Sequence, residues 1–482
     1  MRHAFALSAC LAVLASCSMA PSYRPPATPT AMSYKEMAGW TMAAPLDAAP
    51  RGAWWQDFGD TTLDGLEARA EAASPTIGAA VARYDQAAAL ARRTGAALYP
   101  TVTAGADINR ERFSKERPLA RGNGGTFTDR TVEGAIGWEI DLWGRLRNAA
   151  RADRADARAS QADLASARLS LHATIADNYF ALRGLDAEAD LLRQTIDAYA
   201  RAADLTNVRH EGGIASGLDI NRAHAQLSDA KARLSEVLLE RAATEHAIAV
   251  LVGETPSSFT IAPATPAFAI PMVPVGAPAE LLQRRPDIAA AERRMAAENA
   301  RIGVARAAWF PALTLGASGG YDTTAGALLT APASFWALGP LAVATTLFDG
   351  GRRSADVRRV RAAFDEAAAD YRQTVLTAVR DVEDGVAAAR HLTDAERDQN
   401  DAAAAAARTG DLALTRYRDG ASDYLEVVVA QTAALTAERT ALDLHTRRLQ
   451  ATVSIIRALG GGFDAASLRT AGQAPAVQKP GG

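Results

Sequence analysis

The sequence is poor in cysteine, in net charge and in long hydrophobic runs, and each shortage excludes a class of protein. Its only cysteines, Cys10 and Cys17, lie in the first seventeen of 482 residues, so the rest of the chain has neither disulfides nor thiol chemistry. The 52 basic side chains nearly balance the 55 acidic ones, which gives no reason to expect a nucleic-acid partner. Beyond the N-terminus no run of about eighteen apolar residues occurs, so no transmembrane helix is predicted.

The sequence also lacks the residue patterns that support catalysis or metal binding. Its seven histidines are scattered, with no HExxH pair and no cysteine partner. The glycine-rich segment 122–125 lacks the lysine and the following helix of a phosphate-binding loop. We therefore expect no catalytic residue, no metal site and no cofactor apart from covalently attached lipid.

The N-terminus has the pattern of a lipoprotein signal peptide. A basic start precedes the apolar run 4–15, which is too short to span a membrane as a stable helix. The run ends in Leu14-Ala15-Ser16-Cys17, and small residues before a cysteine are typical of a lipobox. The alternative is an ordinary signal peptide cut after Ala20. We predict a signal peptide at 1–16 and acyl chains on Cys17, which would anchor the protein to a membrane.

The rest of the chain is an internal duplication behind a proline-rich tether at 17–52. We assign a first repeat to 53–254, a proline-rich linker to 255–278, a second repeat to 279–463 and a flexible tail to 464–482. Sequence landmarks recur in the same order, at offsets that drift from 211 to about 207 residues. The matching segments are 74–77 with 285–288, 98–103 with 309–314, 140–145 with 347–352, 209–219 with 416–426, and 251–253 with 459–461.

Each half predicts a helix, two strands, a long helix, a turn and a second long helix. The first long helix starts after Gly144 and runs to the Gly212-Gly213 pair, roughly 100 Å at 1.5 Å per residue. Apolar residues alternate in steps of four and three along the long helices, a period that indicates coiled-coil packing. A globular helical bundle is the alternative. We predict a mostly α protein with a small β part.

Four segments alternate between apolar and polar residues, which is typical of strands with two different faces. They cover 101–108, 131–142, 312–321 and 335–347, and Pro340 weakens the fourth. Each is about as long as a tilted membrane-spanning strand. A half-buried soluble sheet would show the same alternation. If the strands span a membrane, four per chain cannot close on themselves, so the chain must oligomerise.

The motif LLQRRPDIAAAE at 281–292, followed by IGVA at 302–305 and FPAL at 310–313, resembles the signature of the NodT-type outer-membrane efflux lipoproteins. These belong to the TolC/OprM-like outer-membrane factors. The resemblance implies a homotrimer with a twelve-stranded β-barrel in the cell outer membrane and an α-helical tunnel crossing the periplasm. It also implies two partners, a periplasmic adaptor and an inner-membrane pump of the resistance-nodulation-division type.

By the same resemblance, the helix-turn-helix tips close the periplasmic end. The tip turns are at Gly212, Gly213 and Gly420. Asp219 and Tyr417 match the positions that make the closing hydrogen bonds in such channels, although Asp219 would equally cap its own helix. Relatives often carry an acid where this chain has Val429, so we name Asp423 and Glu426 as substitutes at the gate.

The function implied is an exit duct that passes small toxic molecules outward without covalent chemistry. Within this class, type I protein secretion and metal or oligosaccharide export are alternatives. A different class also fits: a lipid-tethered periplasmic coiled-coil protein with a structural role, whose alternating segments would form a soluble sheet.

Overall fold

The computed structural model describes residues 18–26, 34–36, 52–112, 114, 125–271, 273, 284–324, 334–339 and 341–461. Cys17, the predicted signal peptide and the tail at 464–482 lie outside these residues. Within the described part of the chain, no helix is both long enough and apolar enough to cross a membrane.

The described elements repeat in two halves, as the sequence landmarks predict. The first half has α1 (Thr61–Ala73), α2 (Pro75–Ala96), β1 (Thr101–Arg112), β2 (Thr126–Ile140), α3 (Arg145–Glu211) and α4 (Gly217–Leu251). The second half has α5 (Pro286–Ala307), β3 (Ala312–Thr323), β4 (Phe335–Leu338), β5 (Leu341–Ala344), α6 (Arg352–Arg418) and α7 (Tyr424–Ala458).

Matching elements have equal lengths in the two halves. The helices that precede the first strands, α2 and α5, have 22 residues each, and the first strands, β1 and β3, have 12 each. The long helices α3 and α6 have 67 residues each, and the return helices α4 and α7 have 35 each. The offset is 211 at the strands and 207 at the long helices, so the first half has four more residues between these elements.

The strands form one antiparallel sheet in the order β1-β2-β3-β4, with β5 also paired to β3. Thr101 to Arg112 pair without interruption with Gly137 to Thr126 of β2. The predicted fourth strand is divided into β4 and β5, and Pro340, which stands between them in the sequence, lies outside the described residues. A Cβ on the neighbouring Gly339 would lie 3.0 Å from the Gly316 carbonyl oxygen, so the backbone there approaches β3 closely.

Two compact units can be distinguished from the backbone contacts. The strand unit comprises Met1–Ala27, Tyr84–Ser160 and Ala290–Tyr371, and the helical unit comprises the remaining segments. In the strand unit, aromatic side chains mark the junction of sheet and helices. The Trp143 ring stacks on Phe310 at 4.6 Å, and its indole Nε1 donates to the Pro311 carbonyl oxygen at 2.9 Å.

The core of the helical unit lies where α1, α3, α4 and α7 meet. Its largest buried side chains include Trp54, Phe58, Tyr179, Phe180 and Ile248. Burial of so many aromatic and aliphatic side chains is the main stabilising contribution in this unit.

A buried ion-pair network attaches the linker segment to the helices. The carboxylate of Asp186 accepts hydrogen bonds from Arg183 (2.9 Å) and Arg241 (2.6 Å). Both arginines also donate to linker carbonyls, those of Ala262 (2.8 Å) and Ile261 (2.6 Å). The charges are therefore compensated, and the linker is held against α3 and α4 at this point.

Candidate functional site

The tip of the first half, defined here as residues 206–222, turns through a Schellman motif. The N–H of Ile214 donates to the Arg209 carbonyl (2.7 Å), and that of Gly213 donates to the His210 carbonyl (2.8 Å). Gly213 has a φ of 73°, a left-handed conformation that glycine adopts without steric cost. The predicted turn is therefore present, with Gly213 at its left-handed position and Gly212 before it.

The tip of the second half, residues 413–429, repeats this backbone. The N–H of Ala421 donates to the Arg416 carbonyl (2.8 Å), and that of Gly420 donates to the Tyr417 carbonyl (3.0 Å). Gly420 has a φ of 77°. The two tips are thus the same Schellman motif, 207 residues apart.

Asp219 caps the first turn of α4. It forms a capping box with Ser216, whose backbone N–H donates to the Asp219 carboxylate at 3.1 Å and whose hydroxyl donates at 2.8 Å. Arg222 forms an ion pair with the same carboxylate at 3.7 Å. The capping role that the sequence left open is therefore present in this structure, while a closing contact of Asp219 stays a prediction.

Tyr417 lies at the centre of a small buried cluster, only 3% exposed. Its ring packs edge-on against Tyr424 at 5.2 Å, and its hydroxyl donates to the Thr206 Oγ1 at 3.4 Å. Burial raises the pKa of Tyr424 to about 12, with further contributions from Tyr417, Tyr199 and Asp219. Tyr417 and Asp219 therefore lie in the same region, but no hydrogen bond between these two described side chains joins them.

Arg209 connects the two tips, a role that the sequence did not predict. Its Nη1 donates to the carbonyl oxygens of Tyr417 (2.7 Å) and Arg418 (3.2 Å) at the end of α6. Its guanidinium carbon also lies 4.6 Å from the centre of the Tyr417 ring. A cation at the carbonyl end of a helix is favourable, because that end carries partial negative charge.

Asp423 and Glu426 lie at the start of α7. Asp423 is the N-cap, and its carboxylate accepts the Glu426 backbone N–H at 3.1 Å. The Glu426 carboxylate lies 3.5 Å from the guanidinium of Arg416, and both side chains are exposed. Val429, where relatives often carry an acid, is 61% exposed. Each acid thus has a partner within its own tip, and their role at a gate stays a prediction.

A signal for Arg209 existed in the sequence, because it matches Arg416 in the duplication. Arginine in the last turn of a helix ordinarily binds the carbonyls of its own helix. Arg416 stays within its own tip, with a 3.5 Å contact to the Ala421 carbonyl in the turn after α6, whereas Arg209 binds the carbonyls of α6. No local pattern distinguishes the two.

Elsewhere, the described residues contain no group of three or more His, Cys, Asp or Glu arranged to hold a metal ion.

Comparison with known proteins gives concordant results. A family model described as "Outer membrane efflux protein" matches residues 66–254 and 277–461. The chain is 32% identical to the pyoverdine export outer membrane protein OpmQ of Pseudomonas aeruginosa, covering 96% of this chain and 97% of that one. It is 31% identical to the outer membrane protein OprJ of the same species, with coverages of 96% and 97%. A toluene efflux pump outer membrane protein, TtgC of Pseudomonas putida, is 29% identical, with coverages of 94% and 94%.

Solved structures show the same fold. The outer-membrane channel OprN superimposes with a TM-score of 0.85 at 29% identity, covering 92% of this chain and 99% of that one. The open state of the MtrE outer membrane channel of Neisseria gonorrhoeae gives a TM-score of 0.81 at 25% identity, with coverages of 93% and 99%.

Proposed function

Because this chain belongs to the outer membrane efflux protein family, we propose that it is the lipid-anchored exit duct of a tripartite pump for small toxic molecules. That it is an outer-membrane channel for efflux follows from the family itself. The finer parts of the proposal are the anchor, the assembly, the gate and the cargo. The observation that carries it is that the family match extends over both halves of the chain, 66–254 and 277–461.

The exposed strands support a location within lipid. Every residue of β1 is exposed in the single chain, including the apolar Val102 (74%) and Ile108 (72%). Aromatic side chains lie just before β1 and β3, where Tyr99 is 71% and Trp309 is 50% exposed. Aromatic residues at this level are typical of the boundary between hydrocarbon and water.

We propose a homotrimer because the sheet has two open edges. Among the described residues β1 pairs only with β2 and β4 only with β3, so their outer N–H and C=O groups have no strand partner within that part of one chain. Open edges are not tolerated in hydrocarbon, and neighbouring copies can satisfy them. Three copies is the number the family resemblance implies.

The cargo and the partners are proposed from relatives. Three relatives are named for pyoverdine export, toluene efflux and antibiotic efflux, and all three cargoes are small molecules. We propose cargo of this size class, delivered by a resistance-nodulation-division pump through a periplasmic adaptor. The duct moves its cargo without covalent chemistry, so it is not an enzyme. The anchor is acyl chains on Cys17.

The gate is proposed at the two tips, with Asp219 and Tyr417 contributing to its closed state. Supporting this, Arg209 and Tyr417 tie the end of α6 to the end of α3. Replacing Asp219 by Ala removes the capping box, and Tyr417→Phe removes the hydroxyl contact with Thr206. We expect both changes to raise the leak through the closed channel.

Single-channel conductance of the detergent-extracted protein in a planar bilayer tests the proposal. Small discrete steps in the wild type that grow in Asp219→Ala are expected. Glu240→Ala, which removes an exposed acid on the same helix, should behave as the wild type. Equal conductance and equal antibiotic uptake for Asp219→Ala, Tyr417→Phe and wild type would exclude the gate. No insertion, with a chain that stays soluble once Cys17 is replaced, would favour the tethered coiled-coil protein instead.

A further inference from the structure

The segment just after Cys17 covers a cleft in the strand unit. The Ser18 hydroxyl donates to the Asn148 side-chain oxygen (3.1 Å), and the Asn299 amide donates to the Pro21 carbonyl (3.0 Å). The Tyr23 hydroxyl donates to the Glu292 carboxylate (2.6 Å). These bonds fix the segment against α3 and α5, over a cavity of about 490 Å³.

The side chains that line this cleft carry positive charge and no negative charge. Arg151, Arg154 and Arg158 follow one another at spacings of three and four, so they share one face of α3. Arg293 of α5 joins them, and none of the lining residues is an acid.

The nearby acids do not neutralise Arg151, Arg154 and Arg158, which are called the arginine row below. Asp153 accepts a hydrogen bond from Thr94, and Asp156 forms an ion pair with Arg301. Glu292 is taken by Tyr23 and Arg293. The three arginines of α3 have no ion pair with any described residue, and Arg151 makes one hydrogen bond, to Asn148 at 3.3 Å.

A buried amide in the lining points independently to a ligand. Asn148 is fully buried, and its side-chain nitrogen has no acceptor among the described residues. A buried N–H group without an acceptor is unfavourable, so nearly all such groups in folded proteins have one. An oxygen-rich anion in the cleft would provide acceptors for the guanidinium groups and for the side-chain N–H group of Asn148.

Phosphate is the anion that this arrangement suits. Guanidinium groups bind phosphate oxygens through paired, charge-assisted hydrogen bonds. The cleft begins one residue after Cys17, so acyl chains on that cysteine would place it beside a membrane surface. Acyl chains joined to a cysteine through a thioether carry no phosphate, so the phosphate has to belong to another lipid.

We propose that this cleft binds the headgroup phosphate of an anionic phospholipid in the leaflet that holds the anchor. The inference rests on the proposed anchor for the source of the phosphate, but not for the binding chemistry. It gives the channel a second attachment to its membrane, through charge in addition to acyl chains.

The second half of the chain provides an internal control. At the positions 207 residues further along, Arg358 and Arg361 keep two of the arginines and are exposed. Ala355 stands in place of Asn148, and Asp365 in place of Arg158. The duplication has therefore kept part of the arginine row without its buried amide and with an acid beside it.

The test is a lipid titration of the delipidated full-length protein in detergent, with bound lipid counted by native mass spectrometry. The probe is a short-chain phosphatidylglycerol. We expect one bound molecule per chain, weakened by salt. The triple variant R151Q/R154Q/R158Q should bind about a hundredfold more weakly, because each arginine near an anionic lipid contributes a factor of about five.

Two further variants test whether a loss of lipid binding comes specifically from the arginine row. The control R358Q/R361Q should bind as the wild type. R151K/R154K/R158K keeps the charge but not the paired geometry, and should fall between the wild type and the glutamine variant. An unchanged oligomer mass shows that each variant has folded.

The other outcomes overturn the proposal in distinguishable ways. Equal binding by the glutamine variant would exclude the arginine row. Equal binding of phosphatidylcholine, unaffected by salt, would indicate acyl-chain contacts only. Displacement of the lipid by an equal concentration of inorganic phosphate would indicate a free-anion site. The intact mass of the protein shows separately whether Cys17 carries acyl chains. If it carries none, the same titration on a Cys17→Ala chain still tests whether the cleft binds the lipid.

Discussion

The tip of the α3–α4 hairpin and the tip of the α6–α7 hairpin descend from one duplicated segment, and they share a backbone but not a set of contacts. Both turn on a glycine with a positive φ in a Schellman motif. In the first tip, His210 is exposed and Arg209 binds outside its own hairpin. In the second tip, Tyr417 replaces His210 and is buried, while Arg416 stays within its own turn.

This difference indicates which interactions a duplication preserves. The turn geometry depends on neighbouring residues, so it persists in both halves. The side-chain contacts depend on residues some 200 positions away, so each half has changed independently. As a result the second tip is held by a contact that the first tip supplies, and the first tip receives no equivalent contact in return from Arg416.

The largest expected difference is between Tyr417→Ala and its counterpart His210→Ala. Removing the buried Tyr417 ring leaves a cavity beside Tyr424 and should destabilise the second tip by about 3 kcal/mol. His210 is exposed, so its removal should change stability by less than about 0.5 kcal/mol. Hydrogen exchange of the tip amides measures both. Similar effects would contradict the asymmetry described above.

A smaller difference is expected between Arg209→Ala and Arg416→Ala. Arg209 makes two charge-assisted hydrogen bonds and a ring contact, so its loss should destabilise the second tip by about 2 kcal/mol. The exposed pair of Arg416 with Glu426 should contribute about 0.5 kcal/mol or less.

A double-mutant cycle between Arg209 and Tyr417 sharpens this prediction. Because the two side chains are in contact, the combined loss should be smaller than the sum of the single losses. Additive losses would show that Arg209 acts on α6 independently of the tyrosine ring.

The two turn glycines should respond alike. Gly213→Ala and Gly420→Ala each force a Cβ into the left-handed region, at about 1 kcal/mol apiece. A Cβ at either position would meet no atom closer than 3.9 Å, so the penalty is conformational and not steric. Equal effects in hydrogen exchange would support the shared backbone. A much larger effect at Gly420 would show that the second turn is under additional constraint.

Alkaline pH should destabilise the second tip but not the first, and neither tip should change in stability near neutral pH. Burial raises the pKa of Tyr424 to about 12, above its ordinary value near 10, because the folded tip favours the neutral phenol. The resulting stabilisation is complete below about pH 10 and declines as pH rises towards 12. The first tip has Gly217 at this position. Once exchange is corrected for the base catalysis that accelerates every amide, an additional acceleration should therefore occur only in the second tip. Tyr424→Phe should abolish the pH effect.

Much of the fold was predictable because its signals are local or periodic. Gly213 and Gly420 predicted the turns, and the heptad spacing of Leu435, Leu442 and Leu449 predicted the return helix of the second half. Pro340 predicted a weakness in the fourth strand, but the sequence did not show that both described parts of it pair with β3. Pairing between strands is a long-range property that alternation alone does not specify.

The candidate site was less predictable, because its main contact joins residues 208 positions apart. Tyr417 was named for a resemblance, and its actual partners Thr206 and Arg209 were not. Asp219 could be read either as a cap or as a closing residue, and the structure contains the cap. The cap is encoded within four neighbouring residues, whereas a closing contact of Asp219 is not a local property and stays a prediction.

The four residues that the first half has in excess lie between the end of β1 and the start of α3. Length has thus changed in the strand region while both long helices kept 67 residues. One residue inserted in a helix would rotate every later side chain by about 100° relative to the heptad seam. The connection between β1 and β2, residues 113–125, is therefore a better position for an epitope tag or a fluorophore than the helix interiors, which are intolerant of the same insertion.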